Sequence, residues 1–217
     1  MAIRLVLLAV VVFLAYVQAS DPDMLQDLCV ADITSSTKVN GFVCKPDAAI
    51  SADDFFFSGL AQRGNVSSPL GSLVRAANVE KIPGLNTLGM SISRIDYNPG
   101  GLNPPHTHPR ATEIVFMLDG ELHVGFITTA NKLVAKTIRK GEIFVFPRGL
   151  VHFQINNATT CASVIVAFNS QLPGTQSIAA TLFGSTPSVT DDVLGKAFQI
   201  DPEEAQEIKS KFAPKPY

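Results

Sequence analysis

Residues 100–120 read GGLNPPHTHPRATEIVFMLDG, and residues 141–156 read GEIFVFPRGLVHFQIN. Both segments begin with a glycine, and each carries a short β-rich run beside turn residues. They contain three of the chain's four histidines, namely His106, His108 and His152. This pairing predicts two β-hairpins that bring three imidazoles and one carboxylate, Glu113, to a single metal centre.

Short β-rich runs continue around these segments. They are SISRIDY (91–97), EIVFML (113–118), ELHVGFI (121–127), LVAKTI (133–138), EIFVFP (142–147), VHFQI (151–155) and CASVIVAF (161–168). So many strands at this spacing are typical of a sandwich or barrel. After Pro173 a capping side chain precedes a proline at Thr186-Pro187 and at Asp201-Pro202, which predicts helices over 188–198 and 202–212. The expected fold class is all-β with C-terminal helices.

Strand periodicity places the first two histidines together. His106 and His108 are two residues apart, so both rings should point to the same face of an extended strand. Pro104, Pro105 and Pro109 frame them and restrict the backbone on either side. The two rings should therefore reach one ion with little conformational entropy left to lose.

The first predicted hairpin separates Glu113 from His123. A type I′ turn at Asp119-Gly120 would place Met117 opposite Leu122. Directly opposed residues share a face, so Glu113 should lie on the same face as these two side chains. His123 should project from the other side of the sheet, which predicts that it is not a ligand.

The second hairpin completes the predicted ligand set. His152 follows a turn at Pro147-Arg-Gly149 and shares its face with Gln154 and Asn156. The predicted ligands are His106, His108, Glu113 and His152, and no catalytic side chain is predicted beyond them. Closed structural zinc sites favour sulfur, whereas three nitrogens and one oxygen also suit an octahedral ion that keeps water. The predicted ligand set therefore favours manganese or iron over zinc as the bound ion.

The N-terminal residues indicate export. Arg4, the apolar run from Leu5 to Val17 and the small residue Ala19 predict a signal peptide over 1–19, which is too short to span a bilayer. Residues 20–53 read as an N-terminal extension with a disulfide loop. Residues 54–205 are predicted to hold the barrel and the start of the helical region, and 206–217 the end of the last helix and the tail. The net charge of −2 and the pI near 6.1 favour neither nucleic acid nor an anionic membrane as partner.

Cysteines and sequons support the same compartment. Three cysteines in an exported chain predict one disulfide and one spare thiol. Cys29 and Cys44 enclose a loop of a size that a bridge would stabilise by about 3 kcal/mol. Cys161, in an apolar run, is then expected to be an inert buried thiol. The sequons at Asn65 and Asn157 predict glycosylation.

The two segments resemble the paired motifs of the cupin superfamily residue for residue. The matching positions are Gly100, His106, His108, Glu113 and Gly120 in the first, and Gly141, Pro147, Gly149, His152 and Asn156 in the second. SDPDMLQDLCVAD, VNGFVCKP, PPHTHPRATEI, FPRGLVHFQ, AFNSQLPG and TLFGS further resemble the germin-like proteins of plants. The resemblance implies a jelly-roll β-barrel with Mn²⁺ inside, secretion to the apoplast or cell wall, and a Cys29–Cys44 bridge. It also implies a homohexamer built as three dimers, with the C-terminal helices clasping a neighbour.

The resemblance leaves the activity open. Some germins oxidise oxalate, others dismutate superoxide, and sugar-nucleotide hydrolysis or receptor-like binding has been proposed for others. In the oxalate-oxidising germins two asparagines next to the metal position the substrate. This chain resembles them at Asn103 and has Ser93 at the other position, which disfavours oxalate oxidation.

The function expected from this resemblance is a superoxide dismutase-type activity that produces hydrogen peroxide, with a role in plant defence. Its small ligand would be an oxygen species or a carboxylate. The alternatives are an oxalate oxidase, or a non-enzymatic binding or storage-type cupin with a structural metal. Storage cupins commonly lose their metal ligands, and all four are present in this chain.

Overall fold

The computed structural model describes residues 25–37 and 39–212. The strands are β1 Ser72–Ala77, β2 Ser91–Tyr97, β3 Leu102–Thr107, β4 Glu113–Asp119, β5 Glu121–Ile127, β6 Leu133–Arg139, β7 Ile143–Phe146, β8 His152–Ile155, β9 Ala162–Phe168 and β10 Gln176–Ser177. The helices are α1 Ile178–Phe183, α2 Asp191–Phe198 and α3 Pro202–Phe212, and three short 3-10 helices cover Asp47–Ala49, Ala52–Phe55 and Pro83–Leu85. The predicted signal peptide and the last five residues lie outside the described residues.

The strands form two five-stranded antiparallel sheets. The first has the order β1-β2-β9-β4-β7 and the second the order β10-β3-β8-β5-β6. Alternate side chains from both sheets point inward and form one apolar core that includes Tyr97, Met117, Leu122, Val164 and Phe146. This confirms the predicted all-β jelly-roll with C-terminal helices.

The predicted hairpins are wrong in one respect, because each turn connects the two sheets. β4 and β5 meet at Gly120 but do not pair: Met117 lies opposite Val164 on β9, and Leu122 lies opposite Ile138 on β6. A Cβ on Gly120 would lie 2.8 Å from the carbonyl oxygen of Cys161, so the chain turns this corner against the backbone that leads into β9. The turn at 147–149 likewise leads from β7 in one sheet to β8 in the other. The side chains nevertheless point in the directions that the sequence predicts, because alternate residues of each strand face the interior of the barrel.

Two further predictions are corrected. The first long C-terminal helix begins at Asp191 after Thr190 rather than near residue 188. Two acidic residues, Asp191 and Asp192, occupy its first turn, where they favour a start at this point through the helix dipole. Cys161 is exposed rather than buried, because it precedes β9 at the corner under Gly120. The last helix lies over Pro202–Phe212, as predicted.

The N-terminal extension packs on the barrel through its disulfide loop. Cys29 and Cys44 form a disulfide, and the neighbouring Val30 and Ala31 are fully buried. The amide of the buried Asn86 donates to the Phe42 carbonyl at 2.8 Å, and the Phe42 N–H donates back to its side-chain oxygen at 3.2 Å. Among the described residues, no helix is long and apolar enough to cross a membrane.

A buried carboxylate fastens the segment before β1 to the sheet. Asp96 has no exposed surface, and its two oxygens accept from Arg75 at 3.0 Å and from Arg94 at 2.9 Å. They also accept from the backbone N–H of Gly64 at 2.9 Å and from the hydroxyl of Ser163 at 2.7 Å. Four donors from four parts of the chain, namely the segment before β1 and the strands β1, β2 and β9, therefore meet on one side chain.

We expect Asp96→Ala to lower the free energy of unfolding by about 3–5 kcal/mol, because it leaves two guanidinium groups facing a buried site without their anion. Urea unfolding of the metal-loaded protein measures the change. Asp119→Ala is the matched control: its ion pair with Lys140 is more than 70 % exposed on both sides, and its loss should cost less than about 1 kcal/mol. Equal effects of the two substitutions would contradict the role given to Asp96.

Candidate metal centre

Three strands of both sheets carry the predicted ligands into the barrel. His106 lies near the end of β3 with His108 just beyond it, Glu113 begins β4, and His152 begins β8. β3 and β8 are antiparallel neighbours whose register sets His106 directly opposite His152. Glu113 reaches the same point from the other sheet. The site therefore forms where the two inner faces meet.

The structure brings together the four side chains that the sequence predicts as ligands. One donor atom from each lies within 4.8 Å of the others. All four are buried, with exposed fractions between 1 % and 5 %. This set, His106, His108, Glu113 and His152, is a group of metal-binding type in the interior of a protein.

Backbone carbonyls orient all three imidazoles in the same sense. Nδ1 of His106 lies 2.8 Å from the carbonyl oxygen of Pro104, and Nδ1 of His152 lies 2.9 Å from that of Leu150. Nδ1 of His108 contacts the carbonyl oxygen of Gly174. A carbonyl only accepts, so each Nδ1 carries the proton and each neutral ring keeps its Nε2 lone pair for a ligand.

The carboxylate lies where a bound cation would satisfy it. Oε2 of Glu113 lies 2.9 Å from Nε2 of His108 and 3.3 Å from Nε2 of His152. With Nδ1 protonated on both rings, these contacts join two acceptors and repel unless a proton or a metal ion lies between them. Three imidazole nitrogens and one carboxylate oxygen that converge on one buried point fit a divalent metal ion.

Burial and mutual charge shift the pKa values of two of these groups. Burial, helped by the nearby His152, lowers the pKa of His106 to about 4. Burial raises the pKa of Glu113, but hydrogen bonds and charge from His108 and His152, present when a proton lies between their Nε2 atoms and the carboxylate, outweigh burial and lower the pKa to about 2. Near neutral pH His106 is therefore neutral and Glu113 is ionised, which are the states that bind metal.

A hydrogen-bond network behind Glu113 contains residues to which the sequence analysis gave no role. Gln154 is fully buried, and its amide donates to Oε1 of Glu113 at 3.1 Å. Its own carbonyl oxygen accepts from Asn103 at 2.7 Å and from the hydroxyl of Tyr97 at 3.3 Å. Gln154 thus fixes the carboxylate so that Oε2 faces the histidines. In the sequence, the only indication of this role is that Gln154 lies two residues after His152, on the same face of the strand.

A cavity of about 260 Å³ opens beside the metal-binding group. Ser93 and Asn103 line it together with three of the four predicted ligands, and most of the remaining wall is aliphatic, including Val74, Ala76 and Leu172. Ser93 and Asn103 therefore lie where the resemblance implies substrate contacts. The cavity has room for a small molecule next to the ligands.

His123 lies outside this group, as the facing argument predicts. It is half-buried on β5, its Nδ1 lies 3.3 Å from the hydroxyl of Thr137, and its ring is 6.1 Å from that of Phe153. It is therefore a suitable control for experiments on the other three histidines.

Comparison with known proteins gives one consistent result. The Cupin family model matches residues 58–206. "Germin-like protein subfamily 2 member 4" of Arabidopsis thaliana is 67% identical over 206 residues, which cover 94% of this chain and 92% of that protein. "Germin-like protein 5-1" of Oryza sativa subsp. japonica is 68% identical over 197 residues, covering 91% of this chain and 88% of that protein.

A solved structure described as recombinant oxalate oxidase in complex with glycolate resembles this chain closely. Its TM-score is 0.86 and its sequence identity 49%, covering 89% of this chain and 98% of the other. The likeness therefore includes the barrel, the extension and the C-terminal helices.

The lowered pKa of His106 predicts how the stability of the metal-free protein depends on pH. In the unfolded chain this ring has its ordinary pKa of 6.5, whereas in the folded chain its pKa is about 4. The unfolded state therefore binds more protons in this window, and stability falls as the pH is lowered through it, by about 1.4 kcal/mol per pH unit for one proton.

Urea unfolding between pH 7 and 4 in the presence of a chelator measures this slope. His106→Gln should reduce the slope between pH 6 and 4, and His123→Gln should leave it unchanged. An unchanged slope in His106→Gln would show that this ring does not remain neutral when the protein is folded.

Proposed function

The chain belongs to the germin-like proteins of the cupin family, and we propose on that premise that it is a manganese-dependent superoxide dismutase. The observation that carries the proposal is the buried set of three imidazoles and one carboxylate beside a small cavity. Such a site offers what one-electron chemistry on a small oxygen species needs: a held metal ion and room for the reactant beside it.

The donor set supports manganese as the ion. It contains no sulfur, which soft metals and many structural zinc sites prefer. Copper and zinc bind most nitrogen and oxygen sites more tightly, so selection of manganese would depend on geometry and on the metal supplied during export. Gln154 and the three backbone carbonyls hold the donors in place and thereby favour one geometry.

A bound manganese ion would supply the one-electron oxidation and reduction by which two superoxide anions and two protons become dioxygen and hydrogen peroxide. The chain's own residues supply the setting. The carbonyl of Pro104 and its two counterparts keep the rings in the binding tautomer. Ionised Glu113 offsets the positive charge of the ion, and the cavity lined by Ser93 and Asn103 admits the reactant.

Oxalate oxidation is the second candidate, favoured by the likeness to the oxalate oxidase structure. Asn103 lines the cavity, but its amide already donates to Gln154 at 2.7 Å. Ser93 is shorter than asparagine and reaches less far toward a ligand. The loss of one positioning contact to a small dianion would cost on the order of tenfold to a hundredfold in rate.

We propose an extracellular location, in the plant apoplast or cell wall. The Cys29–Cys44 disulfide fits an oxidising compartment. Asn65 and Asn157 are both exposed, which supports glycosylation at these sequons. Peroxide made there would be available for defence or for cross-linking of wall polymers.

We further propose self-association, with a hexamer of three dimers as the expected form. The outer face of the first sheet carries an exposed apolar row in which Ile114 lies opposite Val145, and Phe116 opposite Ile143. Apolar residues on one sheet face are typical of a protein–protein contact. A second copy of the chain is the proposed partner.

Purified protein loaded with manganese should dismutate superoxide above the rate of the same concentration of free manganese. His106→Ala and His108→Ala should each lower the activity by more than about a hundredfold, because each removes a ligand. His123→Ala should retain it. Activity is measured by inhibition of a superoxide-dependent dye reduction, together with metal content and oligomeric state.

The same variants separate catalysis from a structural role of the metal. Activity lost while fold and assembly remain intact supports catalysis, whereas collapse of both shows that the metal is structural. A fully loaded native protein no more active than free manganese would rule out the dismutase function.

The native protein should release little hydrogen peroxide from oxalate, and Ser93→Asn should raise the rate by about tenfold to a hundredfold. The added amide would provide a second positioning donor in the cavity. A coupled peroxidase assay measures the release, with manganese content matched between the two proteins. Ready turnover of oxalate by the native protein would show that Ser93 does not impair this reaction.

A further inference from the structure

One wall of the metal cavity is a short irregular segment, Gln171–Thr175, which we name the strap. It runs from the end of β9 to β10, and its residues Leu172–Thr175 line the cavity. The strap also reaches a predicted ligand directly, since the carbonyl oxygen of Gly174 contacts Nδ1 of His108. Its position therefore affects both the cavity and the orientation of this ring.

The two ends of the strap are held by different groups. At its start, the amide of Gln171 donates to Asn86 at 3.3 Å, and the Gln171 carbonyl accepts from the N–H of Val79 at 3.1 Å. These contacts join it to the barrel and, through Asn86, to the disulfide loop. Gln171, which makes these contacts, lies three residues before Gly174, whose carbonyl oxygen contacts His108.

Arg110 holds the second half of the strap. Its Nε donates to the carbonyl of Leu172 at 2.8 Å, and its backbone N–H donates to the carbonyl of Pro173 at 3.3 Å. Its guanidinium also lies against Gly174, where an added Cβ would stand 2.8 Å from Nη2. The side chain and the backbone N–H of Arg110 thus hold three successive residues of the strap, Leu172, Pro173 and Gly174.

Gly174 is suited to this contact in two ways. Its φ of +69° lies in the left-handed region, which side chains disfavour. The absence of a Cβ also lets the guanidinium approach the backbone. The close approach of Arg110 and the direction of the Gly174 carbonyl are therefore linked.

We propose that Arg110 is a positioning residue for the metal centre. It fixes the strap, the strap fixes the Gly174 carbonyl, and that carbonyl holds His108 in the tautomer whose Nε2 binds the ion. Arg110 is itself exposed and is not part of the cavity wall, so it acts only through the strap. The inference rests on the proposed function in that it takes His108 to be a metal ligand.

The test measures metal release and ligand field rather than activity. The full-length protein is loaded with manganese, and the rate of metal loss to excess chelator is recorded. A parallel sample is loaded with Co²⁺, whose visible absorption reports the arrangement of the ligands. Arg110→Met, which has no donor, should release metal about tenfold to a hundredfold faster and shift the Co²⁺ spectrum, because partners behind metal ligands typically affect affinity by this factor.

Two substitutions serve as matched controls. Arg139→Met removes an exposed arginine that pairs with Glu121 on the far edge of the second sheet, and it should change neither rate nor spectrum. Arg110→Gln places an amide donor where Nε stood, so it can still donate to the Leu172 carbonyl and should recover part of the loss. A rate for Arg110→Met equal to that of the native protein, or matched by Arg139→Met, would overturn the proposal.

Gly174→Ala provides an independent approach if Arg110→Met folds poorly. The added methyl group displaces the guanidinium, so metal release should again be faster, and in the Arg110→Met background Gly174→Ala should add less than it does alone. Full additivity, or a Gly174→Ala release rate equal to that of the native protein, would overturn the proposal. A native protein that holds no metal would instead contradict the proposed function, and its metal content is measured first.

Discussion

The structure depends on one constraint: the ionised carboxylate of Glu113 lies in the barrel interior and needs positive charge beside it. A buried anion without a partner is costly. Here two histidine Nε2 atoms lie within 3.3 Å of its Oε2, and their Nδ1 atoms are already engaged with carbonyl oxygens. A divalent ion at this point would satisfy the carboxylate and the three rings together. The metal is therefore expected to stabilise the barrel as well as to provide its chemistry.

The jelly-roll supplies the geometry because the chain crosses from one sheet to the other at its turns. β4 begins with Glu113 in the first sheet, whereas β3 and β8 bring His106 and His152 from the second. The site lies between the two inner faces. The donor atoms therefore come together only when the two sheets pack against each other. Gln154 then adds a second layer, since it joins Glu113 to Asn103 and Tyr97. This layer holds the carboxylate on the side opposite the histidines.

Much of this arrangement could be predicted from sequence, because side-chain alternation depends only on the period of the strand. The predicted side-chain direction was right for Glu113 and for His123, even though β4 and β5 do not pair as a hairpin. Pairing partners could not be predicted, since a turn at Gly120 looks the same whether it joins two paired strands or two sheets. Cys161 was misplaced because an apolar run does not show where its strand begins. The contact of Arg110 with the strap spans more than sixty positions and leaves no local pattern.

We propose that the four buried side chains hold one manganese ion. Metal analysis combined with electron paramagnetic resonance, on protein purified from a plant secretory route, tests it most directly, because it gives the identity, amount and oxidation state of the ion together. We predict one manganese ion per chain, which is lost when His152 is replaced by alanine and retained when His123 is replaced by alanine. Protein that carries no metal, or that keeps its manganese without His152, would contradict it.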